Sequence, residues 1–166
     1  WYHRELPDEV KVEDGKRWML HFGAVDQYAV VYVNGKMAAR HLGGYLPFSV
    51  DVTDALRDEK NEILIQVRDY SDAFYYARGK QKLHRGGMFY TAQSGIWQTV
   101  WMEKVPDVYI TDIAVTPYYD ERVFRIKVLV MGGGAEQSIK VEITVSSDGM
   151  KPVRAKGNAG EEIEIS

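Results

Sequence analysis

The sequence of 166 residues has no cysteine, no long apolar run and no excess of positive charge. Without cysteine the chain can form neither disulfides nor thiolate metal sites, although this absence does not fix its compartment. No apolar run reaches the roughly 18 residues of a transmembrane helix, so we expect no membrane partner. The formal net charge of −3 argues against nucleic acid as a partner.

Patterns for metal and cofactor chemistry are also missing. The four histidines lie far apart without ligand spacing, and there is no glycine-rich phosphate loop between a strand and a helix. We therefore expect no cofactor and no metal. The histidine in the first long strand, His21, is predicted to be a hydrogen-bonded packing residue rather than a ligand.

Composition is that of a soluble globular protein, with 45% hydrophobic and 27% charged residues. The length suffices for one good core or two small domains. The chain begins with Trp1 instead of methionine. From this we expect it to be a piece of a longer protein.

The stretch from 22 to 56 organises the rest of the chain. Residues 28–33 read YAVVYV, which is apolar on both faces of a strand, and Asn34-Gly35 follows at once. Asn-Gly is the strongest two-residue hairpin signal, because a type I′ turn needs positive φ at both positions. The pattern predicts a central strand of a β-sandwich, covered on both sides.

Alternating residues predict further strands around this centre. A single helical turn is predicted at 54–56, capped by the oxygen of Asp51 or Thr53. The predicted strands cover residues 1–6, 17–25, 36–42, 48–52, 61–68 and 95–103.

The strands change character after Val105-Pro106-Asp107, which is the best domain boundary. Strands are predicted at 109–116, 123–130 and 139–146, with another at 161–165 and a glycine turn at 132–134. Phe124 and Ile126 are predicted to face inward. An immunoglobulin-like domain needs about seven strands, so we expect a truncated second domain whose open edge favours pairing with another chain.

The segment 69–93 has neither helix nor strand periodicity. Such a long connection in a compact domain is usually functional or disordered. Between residues 71 and 93 it has four cations and one anion, in a chain of net charge −3. Its charged and aromatic residues are Asp72, Arg78, Lys80, Lys82 and Arg85, interleaved with Phe74, Tyr75, Tyr76, Phe89 and Tyr90.

Two blocks of sequence resemble the N-terminal sugar-binding domain of family 2 glycoside hydrolases, the group of β-galactosidases, β-glucuronidases and β-mannosidases. The first is FGAVDQYAVVYVNGK followed by GGYLPFSVDVT, and the second is SGIWQTVWMEKVPDVYITDIAVTP. The resemblance implies an all-β fold with two domains. Residues 1–105 would form a galactose-binding-like jelly roll truncated at its N-terminus, and residues 106–166 a truncated immunoglobulin-like β-sandwich.

The resemblance also implies that the catalytic residues lie elsewhere. Retaining glycosidases use two carboxylates about 5 Å apart, which in this family are glutamates of a TIM barrel that follows the sandwich domains. This sequence has no alternating βα pattern, so we assign no catalytic residue. Its partners would be the barrel of the same chain and, through the parent enzyme, a carbohydrate substrate. The alternatives are a free-standing carbohydrate-binding module and a structural domain, for instance of a homo-oligomer.

In the family, a loop just before the SGI-type strand reaches the barrel mouth, and some members supply an acidic sugar contact from it. Residues 88–93 contain no acidic residue, which argues against simple β-galactosidase specificity. Aromatic faces stack on sugars, and cations clamp carboxylates, so a uronate is conceivable. The candidate substrate-binding residues are Arg78, Arg85 and Tyr90; the alternative is a solvated loop or a subunit contact.

Overall fold

The protein is all-β, which confirms the predicted fold class. The computed structural model describes residues 1–73, 75–133 and 138–166, in which the chain forms sixteen strands and one 3₁₀ turn. Phe74 of the segment 71–93, the cationic loop, and Gly134 of the predicted glycine turn lie outside the described residues. The chain forms two compact units, Trp1–Val105 and Pro106–Ser166. The truncation of both units stays a prediction.

The first unit contains eleven described strands. They are β1 Tyr2–Glu5, β2 Lys16–Phe22, β3 Val25–Asp26, β4 Tyr28–Val33, β5 Lys36–Leu42, β6 Phe48–Asp51, β7 Glu62–Arg68, β8 Gln81–Lys82, β9 Tyr90–Thr91, β10 Gly95–Ile96 and β11 Val100–Pro106.

Strand β4 lies inside a four-stranded sheet of order β1-β7-β4-β5, as its two apolar faces predict. Val31 pairs with Ile65 of β7 on one side and with Ala39 of β5 on the other. The hairpin from β4 to β5 has φ 51° at Asn34 and 79° at Gly35, which confirms the predicted turn. All six residues of β4 are therefore paired on both edges of the strand.

A second sheet of order β11-β2-β6 lies against the first, and the core fills the space between them. Leu20 and Phe22 of β2, Val31 of β4 and Ile65 of β7 belong to one buried cluster. The unit is thus a β-sandwich in which residues of β2 and β4, close in sequence, supply opposite walls.

The prediction of uninterrupted strands at 17–25 and 95–103 is wrong, because each strand is interrupted where the two segments contact each other. The first breaks at Gly23 and the second at residues 97–99. Gly23 N–H donates to the Thr99 carbonyl (2.9 Å), and a Cβ on Gly23 would lie 2.8 Å from the Gln98 side chain. The two segments therefore cross too closely for a regular ladder.

The predicted helical turn is a 3₁₀ turn at Thr53–Ala55. Its N-cap is Val52, which makes no side-chain cap hydrogen bond, but Asp51 supplies the predicted side-chain oxygen to the first backbone N–H of the turn. Thr53 does not cap the turn and has another partner. The Asp51 carboxylate accepts the Thr53 N–H (3.0 Å), and Thr53 Oγ1 accepts the Trp18 N–H (2.8 Å), which ties the turn to β2.

The second unit has five described strands, one more than expected. They are β12 Tyr109–Tyr118, β13 Val123–Met131, β14 Lys140–Val145, β15 Val153–Asn158 and β16 Glu162–Ile165, in sheets of order β12-β13-β16 and β14-β15. Ile126 is buried as predicted, but Phe124 is 43% exposed. The sequence-based prediction missed β15, because its residues, VRAKGN, are too polar to show a strand pattern.

Of the helical segments in the described residues, none is long and apolar enough to cross a membrane.

Candidate functional site

An open cleft of about 210 Å³ lies in the first unit, where four separate segments meet. Its walls combine carboxylate, carboxamide, hydroxyl and aromatic groups. They come from Asp26, Tyr45, Gln81, Gln93, Ser94 and Trp97. A few convergent polar groups beside aromatic surface are typical of small-molecule sites.

Asp26 is the buried acid of this cleft. It ends the two-residue strand β3, which pairs with Gly95 and Ile96 of β10, and it is only 8% exposed. Gly44 passes directly over the carboxylate, so closely that a Cβ at this position would collide with Asp26 Oδ1. Any larger residue at 44 would therefore displace Asp26.

Burial raises the pKa of the Asp26 carboxyl above its usual value, and the negative charge of Asp69 raises it further. The ionised form is thus less favourable in the folded protein than in the unfolded chain. Asp26 consequently lowers stability once the pH is above its folded pKa, and this cost vanishes below about pH 3.9, the usual pKa of an aspartate.

Asp26→Asn should therefore stabilise the protein at pH 7, and the gain should disappear as the pH falls to about 3.5. Urea unfolding of wild type and variant at both pH values measures the difference. Asp58→Asn, in an exposed turn, is the matched control and should show little change. A variant less stable than wild type at pH 7 would mean that favourable contacts hold the carboxylate ionised.

Trp97 and Tyr45 form the aromatic wall of the cleft. Trp97 Nε1 donates to the Gly44 carbonyl (2.7 Å), and the Tyr45 ring meets Trp97 edge-on with centroids 5.9 Å apart. These contacts fix both rings relative to Asp26, because Gly44 is also the residue that covers the acid.

The cationic loop supplies Gln81 and Gln93 to the lining of the cleft, and backbone contacts hold these residues there. Strands β8 and β9 are parallel and pair Gln81 with Tyr90. Gln81 Oε1 accepts the Gln93 N–H (2.6 Å), so the two carboxamide residues of the cleft are tied together. The loop that the sequence singled out therefore supplies part of the cleft.

The three predicted binding residues do not line the cleft. Tyr90 is 69% exposed and pairs with the cleft residue Gln81. Arg78 is half-buried and Arg85 is exposed. Of the neighbouring cations, Lys82 lies over the Phe89 ring, with Nζ 3.9 Å from the centroid.

Sequence reasoning missed Asp26, Tyr45 and Trp97. A signal for Asp26 was available, since it is an acid between the apolar stretches FGAV and YAVVYV, but this signal alone identifies no partner for Asp26. His21, by contrast, is a packing residue as predicted. Its Nδ1 lies 2.7 Å from Ser49 Oγ, and its ring stacks on Trp101.

Known proteins resemble this chain in sequence and in fold. Residues 1–106 match the family model described as glycosyl hydrolases family 2, sugar binding domain. A putative β-glucuronidase of Formosa agariphila is 32% identical over 70% of this chain and 13% of its own length. A β-galactosidase of Thermoanaerobacter pseudethanolicus is 31% identical over 68% of this chain and 14% of its own.

A solved structure and a mammalian sequence relative agree with these matches. The FMN-binding β-glucuronidase from Facaelibacterium prausnitzii is 26% identical and has a TM-score of 0.72, covering 99% of this chain and 26% of that one. The dog β-glucuronidase is 25% identical over 96% of this chain and 27% of its own length. The chain thus spans only about an eighth to a quarter of the proteins it matches. On this basis it belongs to glycosyl hydrolase family 2, whose sugar-binding domain its first 106 residues form.

Proposed function

We propose that the chain is the non-catalytic N-terminal part of a glycosidase that hydrolyses O-glycosidic bonds, and that its cleft helps to shape the sugar pocket of that enzyme. The observation that carries this proposal is the convergence of Asp26, Gln81 and Gln93 on an opening walled by Trp97. Carboxylate and carboxamide oxygens accept hydrogen bonds from sugar hydroxyls, and an aromatic wall contacts the sugar ring.

The role of the cleft is binding, not bond cleavage. Retaining hydrolysis needs two carboxylates about 5 Å apart, one to protonate the leaving group and one to attack. Among the described residues that line the cleft, Asp26 is the one carboxylate. Asp26 can fix the orientation of a sugar, but a catalytic pair must come from elsewhere in the enzyme.

The loop cations favour a sugar that carries a carboxylate. Residues 71–93 have four cations against one anion, and several of the relatives are named β-glucuronidases. Arginine binds a carboxylate through two parallel hydrogen bonds. In this arrangement Arg78 and Arg85 hold the uronate carboxylate, Tyr90 contacts the ring, and Asp26 takes hydroxyls on the side away from the negative charge.

Kinetics of the full-length enzyme that contains this segment test the proposal. With 4-nitrophenyl β-D-glucuronide, Arg78→Ala or Arg85→Ala should lower kcat/KM by about tenfold or more, as loss of one charged hydrogen bond would. Stability should barely change. Lys36→Ala, which removes an exposed cation from the β4–β5 hairpin, is the control and should leave kcat/KM unaffected.

Two results would contradict the proposal. Wild-type kinetics in both arginine variants would favour the solvated-loop interpretation. Turnover of nitrophenyl glycosides by the purified 166-residue chain alone would mean that it carries its own carboxylate pair. A free-standing carbohydrate-binding module is the remaining alternative, and it predicts a reading frame without a catalytic barrel.

A further inference from the structure

A second, shallower groove adjoins the cleft. It is about 680 Å³ in volume, and it shares Tyr45 and Trp97 with the cleft. Its lining consists of Gly23, Tyr45, Pro47, Trp97, Gln98, Thr99 and Trp101. The groove is thus continuous with the cleft and runs from it along the break in the β10–β11 segment.

The two tryptophans of this groove expose large apolar surface. Trp97 is 52% exposed and Trp101 is 46% exposed. Of the four tryptophans in the chain, Trp18 is buried in the core and Trp1 stacks near Tyr32 at β4. Exposed aromatic surface in a groove with polar neighbours is a common sign of a binding site.

Both exposed rings are held in place by buried or half-buried neighbours. Trp97 donates to the Gly44 carbonyl, as described above. Trp101 stacks on His21 with centroids 4.9 Å apart and planes 16° from parallel. His21 in turn lies 2.7 Å from Ser49 Oγ and 3.0 Å from Glu103 Oε1. A ring that is already fixed loses little conformational entropy when a ligand binds it.

The chemistry of the lining selects the ligand. None of the residues that line the groove is charged, in contrast to the cleft with Asp26 and the loop with its cations. The negative face of an indole ring attracts the weakly positive C–H groups on the face of a pyranose. Gln98 and Thr99 add polar atoms that can hydrogen-bond to ring hydroxyls.

We propose that this aromatic groove is a binding subsite for a neutral, β-linked pyranose residue of a glycan. The assignment of the groove as a neighbouring subsite rests on the proposed function, since the groove would hold the sugar that follows the one in the cleft. In a β-linked gluco-configured ring the anomeric oxygen is equatorial like the hydroxyls, which leaves both faces free for stacking on Trp97 or Trp101. In an α-linked ring the anomeric oxygen is axial and obstructs one face.

The test is direct binding of oligosaccharides to the 166-residue chain, with tryptophan fluorescence and NMR chemical-shift titration as the two measurements of binding. The probe is cellohexaose, an uncharged β-linked chain of glucose, and maltohexaose, its α-linked counterpart, is the comparison. We expect saturable binding of cellohexaose and at least about tenfold weaker binding of maltohexaose. Trp101→Ala should weaken cellohexaose binding by about tenfold, which corresponds to about 1.4 kcal/mol.

Matched variants separate the groove from a general loss of folding. Trp1→Ala removes another exposed tryptophan of the same unit, outside the groove, and should bind like wild type. Trp101→Phe keeps an aromatic ring over His21 and should recover part of the affinity. Urea midpoints of all variants show whether they are folded.

Three outcomes would overturn the proposal. The first is absence of saturable cellohexaose binding by the wild type. The second is an equal loss of cellohexaose affinity in Trp1→Ala and Trp101→Ala. The third is a wild type that binds no sugar but forms a dimer, which Trp101→Ala converts to a monomer. The last would make the groove an interface between copies. Because none of these measurements depends on turnover, failure here leaves the glycosidase proposal to its own kinetic test.

Discussion

Replacing Val31 with aspartate should leave the chain without a cooperative unfolding transition. Val31 is fully buried in β4, between β7 and β5, and it belongs to the core shared by both sheets. An unpaired charge in such a position costs several kcal/mol, because water cannot solvate it and the core offers no partner. Since a domain is stable by only about 5–15 kcal/mol, one such cost suffices to unfold it.

Met37→Asp is the matched control for this experiment. It introduces the same charge into the neighbouring strand β5, at a residue that is 51% exposed, and the urea midpoint should shift only slightly. Circular dichroism during urea unfolding and size-exclusion chromatography distinguish the two variants. A soluble, monomeric Val31→Asp protein with a cooperative transition near that of wild type would refute the central placement of β4.

The placement of β4 could be predicted because its information is local. Six residues with apolar side chains on both faces are compatible with few places in a sandwich other than a covered, central strand. Asn34-Gly35 fixed the next element, since positive φ at two successive positions is what the I′ turn requires. Both signals lie within eight residues, so no knowledge of distant contacts was needed.

The breaks in the β2 and β10–β11 segments could not be predicted in the same way. They arise where Gly23 meets Gln98 and Thr99, residues about 75 positions away in sequence. In 17–25 the alternation of apolar residues continues through the break, and in 95–103 apolar residues resume on the same faces after two polar ones, so the pattern indicates one long strand in each segment. The exposure of Phe124 has a similar origin, because side-chain alternation gives the face of a residue but not what covers it.

The candidate site likewise has one part that local sequence could predict and one part that depends on distant contacts. The unusual charge and aromatic content of residues 71–93 marked the loop that supplies Gln81 and Gln93 to the cleft. The remaining wall joins Asp26, Tyr45 and Trp97, which belong to three separate segments and form no motif. The pairing of β3 with β10 and the hydrogen bond from Gly23 N–H to the Thr99 carbonyl bring Asp26 next to the segment that contains Trp97.

A buried pair of asparagines was also beyond prediction. Asn34 lies in the predicted hairpin turn, whereas Asn61, predicted to begin the strand 61–68, lies just outside β7. Asn61, the residue before β7, is 3% exposed, and Asn34 is 8% exposed. Asn61 Nδ2 donates to the carbonyls of Val10 (2.7 Å) and Arg57 (2.9 Å). Its Oδ1 accepts from Asn34 Nδ2 (2.7 Å) and from the Arg57 N–H (2.8 Å). One side chain thus joins three separate segments to the hairpin.

Asn61→Ala should lower the free energy of unfolding by about 3–5 kcal/mol. The substitution leaves the buried Val10 carbonyl, the buried Asn34 amide and two partly buried backbone groups of Arg57 without their partner, and each unsatisfied buried group costs about 1–3 kcal/mol. Urea unfolding measures the loss. Asn158→Ala removes an asparagine whose hydrogen bonds are exposed, and it should cost about 1 kcal/mol or less. A comparable loss in both variants would show that burial of the network adds nothing.

Coupling between the two asparagines gives the sharper result. Asn34→Gly removes the second side chain while keeping the positive φ of 51° accessible. Asn34 also donates to the Ala55 carbonyl (2.8 Å) and accepts the Glu62 N–H (3.0 Å), so this variant is destabilised in its own right. Because each single change already breaks the shared 2.7 Å hydrogen bond, the double variant should lose less than the sum of the two, by about 1 kcal/mol or more. Strict additivity would mean that the asparagines act as independent turn and strand residues, as their separate positions in the sequence suggest.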